Sequence, residues 1–293
     1  MPSMKPKLRS WWIFLWLVAS PVLAGWGYEY MNLSPSPSVL FAPLEPGVSQ
    51  ALWHPAVASP HPARAMSVAS WLGGVTLGAF HWNLKPGTQI HLQGMFSGTL
   101  DKTDGTGQVV GTFSTQHLYI GSTFQRPLSP TWTLGFGMGL YAQSIPPYSS
   151  LAVGGAVGVL WHPAPRPLRM AVSLANVGVE LKPMVKDRYN PAPQFRATAQ
   201  YAVGEAVQLS LGAVLSPLGS WVQLAGRYHL TSLLSLSLAY TSQWSALKLG
   251  DPNDFLMGVM PGLELHWRRI RFTYAYGPMA SLGDLHLVSL SVY

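Results

Sequence analysis

The segment Leu234–Thr241 reads Leu-Ser-Leu-Ser-Leu-Ala-Tyr-Thr. Leu234, Leu236, Leu238 and Tyr240 fall on one side of an extended chain, and Ser235, Ser237, Ala239 and Thr241 on the other. Strand side chains alternate faces, so this is the pattern of a β-strand with one apolar face and one small or polar face. A helix would scatter the leucines around its circumference. The design recurs about fourteen times, predicting strands over 66–72, 74–82, 88–96, 116–124, 131–142, 150–161, 167–176, 193–202, 207–215, 220–228, 233–243, 254–266, 268–277 and 284–293. In the fifth, Trp132, Leu134, Phe136, Met138 and Leu140 oppose Thr133, Gly135, Gly137 and Gly139. In the eighth, Phe195, Ala197, Ala199 and Tyr201 oppose Gln194, Arg196, Thr198 and Gln200.

A soluble barrel turns its apolar face inward, whereas a membrane barrel turns it to lipid and keeps a polar lumen. Glycines and serines on the second face leave room inside a barrel but would coat a soluble surface poorly. Trp82, Trp132, Tyr141, Trp161, Tyr201, Trp221, Tyr240, Trp244 and Trp267 recur near strand ends, where a lipid–water boundary favours them. Connections mostly alternate between short turns, such as 84–87 and 203–206, and longer loops at 97–115, 143–149, 177–192, 244–253 and 277–283. Outer-membrane barrels alternate in this way, with the short turns periplasmic. The expected fold is all-β: a transmembrane antiparallel β-barrel of about 14 strands over 64–293, with an N-terminal plug.

Ahead of the barrel, Lys5, Lys7 and Arg9 precede the apolar run 11–19, and Val22-Leu23-Ala24 supplies a cleavage site. This predicts a signal peptide over 1–24, too short in its apolar core to span a bilayer. Residues 25–63 hold seven prolines and no sustained alternation, yet they include Tyr28, Tyr30, Leu40, Phe41, Leu44, Leu52 and Trp53. Proline opposes central strands, and irregular backbone at membrane depth needs shelter from protein. A hatch inside the barrel is therefore expected, with an arm packed at the periplasmic rim as the other arrangement.

Composition narrows the function classes. Only 10% of residues are charged, against about 25% in ordinary soluble domains. Without the three basic residues of the leader the net charge is +4, and no nucleic-acid footprint is read in it. The absence of cysteine excludes disulfides and thiolate metal sites. The nine histidines show no metal-binding spacing, and no local motif selects a Ser–His catalytic pair. Asp101-Lys102-Thr103-Asp104-Gly105 lacks the oxygen ligands of a calcium loop and fits a turn. No enzyme activity, cofactor or metal is expected.

Several short motifs resemble a known family. Tyr28-Glu29-Tyr30-Met31-Asn32-Leu33 is similar to its aromatic-x-Phe-Leu-Asn-Leu opening, and His54-Pro55-Ala56 stands at its Asn-Pro-Ala. Asp104-Gly105-Thr106-Gly107 with Gly111-Thr112-Phe113-Ser114, Asn176-Val177-Gly178, and Tyr189-Asn190-Pro191-Ala192-Pro193 also match, as do Arg271-Phe272-Thr273-Tyr274 and the closing strand. By these the chain resembles the type IX secretion outer-membrane barrels. The alanine-glycine-rich turn expected after Leu33 is replaced by Leu40-Phe41-Ala42-Pro43. The resemblance implies a FadL-like barrel in the outer membrane with a non-enzymatic role. That role is anchoring the surface protein PorZ, and through it PorU and PorV, so that cargo is joined to lipopolysaccharide amid outer-membrane lipid. The barrel and hatch by themselves also fit a transporter of hydrophobic molecules. The outer-loop residues expected to meet a partner are Asp101, Lys102, Asp104, Met184, Lys186, Arg188 and Tyr189. Tyr293 is expected to close the barrel-assembly signal, although it shares parity with Ser289 and Ser291.

Overall fold

A computed structural model describes residues 36–293, apart from 58, 60, 71–73, 164, 187, 249 and 251 and the side chains of 245–247. The expected leader and the Tyr28–Leu33 motif lie outside the described residues. Fourteen antiparallel strands close into one barrel. They are β1 (Ala63–Ser70), β2 (Thr76–Lys85), β3 (Thr88–Phe96), β6 (Gln116–Pro127), β7 (Trp132–Ile145), β8 (Tyr148–Trp161), β9 (Leu168–Lys182) and β10 (Gln194–Val203). β11 (Val207–Leu215), β12 (Trp221–His229), β13 (Leu234–Thr241), β14 (Val259–Trp267), β15 (Ile270–Pro278) and β16 (Asp284–Val292) complete it. Each strand pairs with its neighbour, and β16 closes on β1 with Val68 opposite Val288. Closure leaves no unpaired edge around the ring. The remaining two strands, β4 (Leu100–Thr103) and β5 (Val109–Phe113), form a separate ribbon in the loop after β3.

Apolar residues point out and polar residues point in. Leu236 and Leu238 are 48% and 56% exposed, while the alternating Ser235 and Ser237 are 1% and 7% exposed. Every wall shows the same inversion: Phe136, Met138, Leu209, Leu211 and Leu290 are exposed, while Gln89, His91, Gln194, Arg196, Glu264 and Thr273 are buried. Water would make such a surface aggregate; hydrocarbon makes it the stable face. The chain is a transmembrane barrel of the outer-membrane kind. The turns β2–β3, β6–β7, β8–β9, β10–β11, β12–β13 and β14–β15 share one end with the last strand's C-terminus. Exposed Trp82, Trp132, Tyr201, Tyr228 and Trp267 ring that end. It is the periplasmic end by the short-turn rule.

Several expectations need correction. Trp221, Trp244 and Tyr141 do not lie in the lipid boundary; all three are buried inside. Residues 254–258 are not strand: 254–256 belong to a 3-10 turn (Pro252–Leu256), and 257–258 form the turn that leads into β14. The loop at 97–115 contains the β4–β5 ribbon. Finally, β9 does not end at Asn176 but runs to Lys182. Asn176 takes φ +58° at a bulge against β8, a conformation Asn tolerates better than most residues. The extra residue flips the alternation: Ser173 and Ala175 face in, but Val177, Val179 and Leu181 face out.

Candidate functional site

The barrel encloses the described residues between 36 and 59, which hydrogen-bond to lumen-facing side chains on β2, β9, β10, β12 and β15. Two short helices, α1 (Pro37–Phe41) and α2 (Gln50–Trp53), are joined by irregular chain. Pro37 at the first helical position costs no hydrogen bond. The unpaired backbone groups between the helices take their partners from lumen side chains, as irregular backbone at this depth requires. Gln223 Nε2 donates to the Leu40 carbonyl at 2.7 Å, and Gln200 Oε1 accepts from the Leu44 N–H at 3.1 Å. Arg169 donates to the Leu44 carbonyl at 3.0 Å, and Asn83 Nδ2 donates to the carbonyls of Ser59 and His61. Arg196 donates to the Trp53 carbonyl at 2.7 Å, with its guanidinium 4.0 Å from the Trp53 ring centre. The amides, arginines and small hydroxyls facing the lumen thus hold a hatch.

His54 sits between β9 and β10, with Nδ1 3.1 Å from Ser173 Oγ and Nε2 2.8 Å from Thr198 Oγ1. Burial and then the charge of Arg196 push its pKa down to about 3, so the hatch carries it neutral. Close approach explains two glycines. A Cβ on Gly135 would overlap the Pro55 carbonyl, and one on Gly262 would overlap the Phe41 ring.

Glu45 is the hatch's only acidic residue among those described. Its Oε2 lies 2.6 Å from Arg227 Nη1 of β12 and 2.9 Å from Arg271 Nη2 of β15. Glu264 of β14, the strand next to β15 in the ring, lies 2.6 Å from Arg271 Nη2 and 3.3 Å from Arg227 Nη2. Its other oxygen is 2.6 Å from His266 Nε2. Burial raises the pKa of the Glu45 carboxyl, but the Arg271 and Arg227 guanidiniums more than reverse this and hold it well below the carboxylate range.

Two regions flank the hatch. On the outer side, Phe41, Leu77, Trp244, Met257, Met260, Met279, Leu285 and Leu287 pack into one buried apolar cluster beneath the loops after β13 and β15. On β16 the lumen face therefore changes from Leu285 and Leu287 at the outer end to Ser289 and Ser291 at the inner end. On the periplasmic side a vestibule of about 360 Å³ opens beside Pro46, Val57, Gln125, Leu160, His162 and Arg169. Between them lies a void of about 40 Å³ beside Leu52, Tyr119 and Arg196, room for one or two waters, and a smaller one of about 10 Å³ beside Pro43, Trp53 and Thr198.

The expected partner residues divide into two groups. Asp101 and Lys102 lie exposed on β4, and Asp104 at the ribbon's tip. Asp104 Oδ1 accepts from the Thr106 hydroxyl, the Thr106 N–H and the Gln108 N–H at 2.7, 2.8 and 3.0 Å. These bonds, the Thr106 hydroxyl first, lower its pKa. Met184, Lys186, Arg188 and Tyr189 lie in the loop after β9, where the Tyr189 N–H donates to Glu180 Oε2 at 2.7 Å. β6, β7, β8 and β9 separate the groups, about 20 Å of rim at strand spacing. Tyr293 packs inward against the Val48, Ala63 and Ala65 cluster. Sequence reading named Arg271 only within a motif shared with the family the chain resembles and did not single out Glu45, Arg227 or Glu264. An acid in a proline-rich stretch gave no signal of a partner nearly two hundred residues away.

No family model matches the chain, and no curated protein matches it. Solved structures do. A FadL homologue from Pseudomonas aeruginosa is 10% identical, with 92% of this chain and 97% of that one covered at a TM-score of 0.57. The toluene transporter TodX of Pseudomonas putida is 10% identical, covering 93% of this chain and 98% of that one at 0.51. The fold is that of the FadL-like barrels.

Proposed function

We propose that this protein is a hatch-gated outer-membrane channel for small hydrophobic molecules. The observation that carries the reading is the apolar, methionine-rich cluster at the outer mouth, directly above the hatch. Methionine side chains repack readily around varied apolar shapes, so the cluster suits a receiving site that must admit different molecules. The likeness to a FadL homologue and to a toluene transporter supports the same reading through fold alone. The polar lumen below the cluster is taken up by hydrogen bonds to the hatch, so passage requires the hatch to move. The role is transport rather than catalysis. Uptake of radiolabelled toluene and of a long-chain fatty acid, in cells expressing the chain against cells lacking it, tests this. Uptake equal to the empty strain's for both probes would refute the reading.

A second reading has its own support in the outer ribbon. It is a PorQ-type anchor that holds PorZ, with PorU and PorV beyond it, in a type IX attachment complex on lipopolysaccharide. The β4–β5 ribbon exposes Val109 and Val110 beside Asp101 and Lys102. Asp104 stiffens its tip, and Ser97 Oγ accepts from the Thr115 N–H at 2.8 Å at its base. A preordered ribbon loses less entropy on binding. Co-purification of PorZ should fall when 100–113 is replaced by a short glycine-serine turn; unchanged recovery would count against this reading.

A further inference from the structure

We infer that Arg227 and Arg271 form an anion-binding site on the barrel wall whose resident occupant is the hatch's own Glu45. A carboxylate or phosphate group that takes Glu45's place would then release the hatch. The inference deepens the channel reading and rests on it.

Charge balance is the first ground. The wall contributes two guanidiniums against one carboxylate, Glu264, which is fully buried. Without Glu45 the wall is left with an unbalanced buried cation, which is strongly unfavourable. The hatch therefore closes by supplying the missing anion, and it stays closed unless another anion supplies it. Geometry is the second ground. Arg227 and Arg271 come from strands separated by β13 and β14, yet both reach the same Glu45 oxygen at 2.6 and 2.9 Å. Such convergent forks match the oxygens of a carboxylate or phosphate.

Unused capacity is the third ground. Arg227 Nε and Arg271 Nε are buried donors without a hydrogen-bond partner among the described residues. The site therefore has more donors than one carboxylate oxygen satisfies, and a phosphate brings more acceptors. Access is the fourth. The Glu45 side chain is 29% exposed, whereas Glu264 is sealed, and Pro46 next to Glu45 lines the periplasmic vestibule together with Arg169. An anion can thus approach the clamp from the periplasmic mouth while the hatch is still in place.

The other hatch bonds join lumen amides, hydroxyls and arginines to hatch backbone groups or to neutral His54. They position the segment without depending on an anion, so the charge-sensitive step falls on Glu45.

Conductance of the purified, folded protein in planar lipid bilayers tests the inference, with inorganic phosphate as the probe against chloride at equal ionic strength. The wild type should be mostly closed in chloride and open at least tenfold more often in phosphate. Glu45→Gln should be open in both. Arg227→Gln/Arg271→Gln should lose the difference between the two salts. A hatch staple supplies the control for the path. A Cβ on Gly158 would lie 3.2 Å from Pro55 Cγ, and the chain has no native cysteine, so Pro55→Cys/Gly158→Cys can be oxidised specifically. Oxidation should silence Glu45→Gln and reduction should restore it. Closure of Glu45→Gln equal to wild type, equal wild-type opening in the two salts, or conduction through the stapled variant would each overturn the inference. Ion conductance separates this from the transported cargo. A lock that behaves as stated with no hydrophobic uptake removes the channel reading's cargo, whereas uptake with a Glu45-insensitive hatch removes the lock.

Discussion

Replacing Gly135 with alanine should loosen the hatch without touching the membrane face of the barrel. The added methyl would overlap the carbonyl carbon and oxygen of Pro55 and the backbone nitrogen of Ala56. These are main-chain atoms, so no rotamer change relieves the overlap, and Pro55 is further fixed by neighbouring His54 bound to Ser173 and Thr198. Overpacking of this kind costs about 1–3 kcal/mol. Because every 1.4 kcal/mol is tenfold, a cost of about 2 kcal/mol raises the population of the open hatch about thirtyfold, with bounds of about fivefold and 150-fold. Gly78→Ala is the matched control, since a Cβ there meets nothing within 4 Å; it should change the population no more than about twofold. The chain has no cysteine, so Ser49→Cys, on a hatch residue that is 3% exposed, gives a single buried thiol. Its labelling rate with a membrane-impermeant maleimide reads the opening directly. A Gly135→Ala rate equal to the parent's, in protein that remains folded, would refute the close packing of hatch on β7. So would an equal acceleration by Gly78→Ala.

Other consequences are also measurable. Leu238→Arg, at the middle of β13 and facing out, should cost about 2–4 kcal/mol in denaturant-dependent insertion into vesicles; a cost near zero would mean that this face does not meet hydrocarbon. Glu45 has a usual value of 4.5 and a far lower one in the folded clamp. Its contribution is therefore complete above about pH 4.5 and is lost only as pH falls through the lower value. Hatch labelling, taken relative to an exposed cysteine labelled at the same pH to cancel the falling thiolate fraction, should accordingly be flat from pH 7.5 to 5, and a rise across that window would contradict the clamp. Asp104→Ala removes three bonds at the ribbon tip, so amide exchange over 100–113 should quicken while that of β6 stays unchanged. Equal exchange in both proteins would show that the tip does not depend on Asp104.

The alternation in Leu234–Thr241 and its repeats was enough to place the strands, their number and the outward face, because a period of two is a local property of extended chain and each strand carries it alone. The seven prolines and buried-type residues of 25–63 likewise indicated a sheltered segment. Local pattern failed where one residue breaks the period. Asn176 adds a residue to β9 and reverses which side chains face out, so the strand appeared to stop where it continues. It failed again for Trp221, Trp244 and Tyr141, whose aromaticity suits lipid boundary and interior alike until neighbours decide. The clamp lay wholly beyond the reach of sequence. Glu45 meets Arg227 and Arg271 only because closure of the barrel brings β12 and β15 around the lumen to the same carboxylate. Charge pairing between residues 182 and 226 positions apart is fixed by the ring's geometry and leaves no periodic trace along the chain.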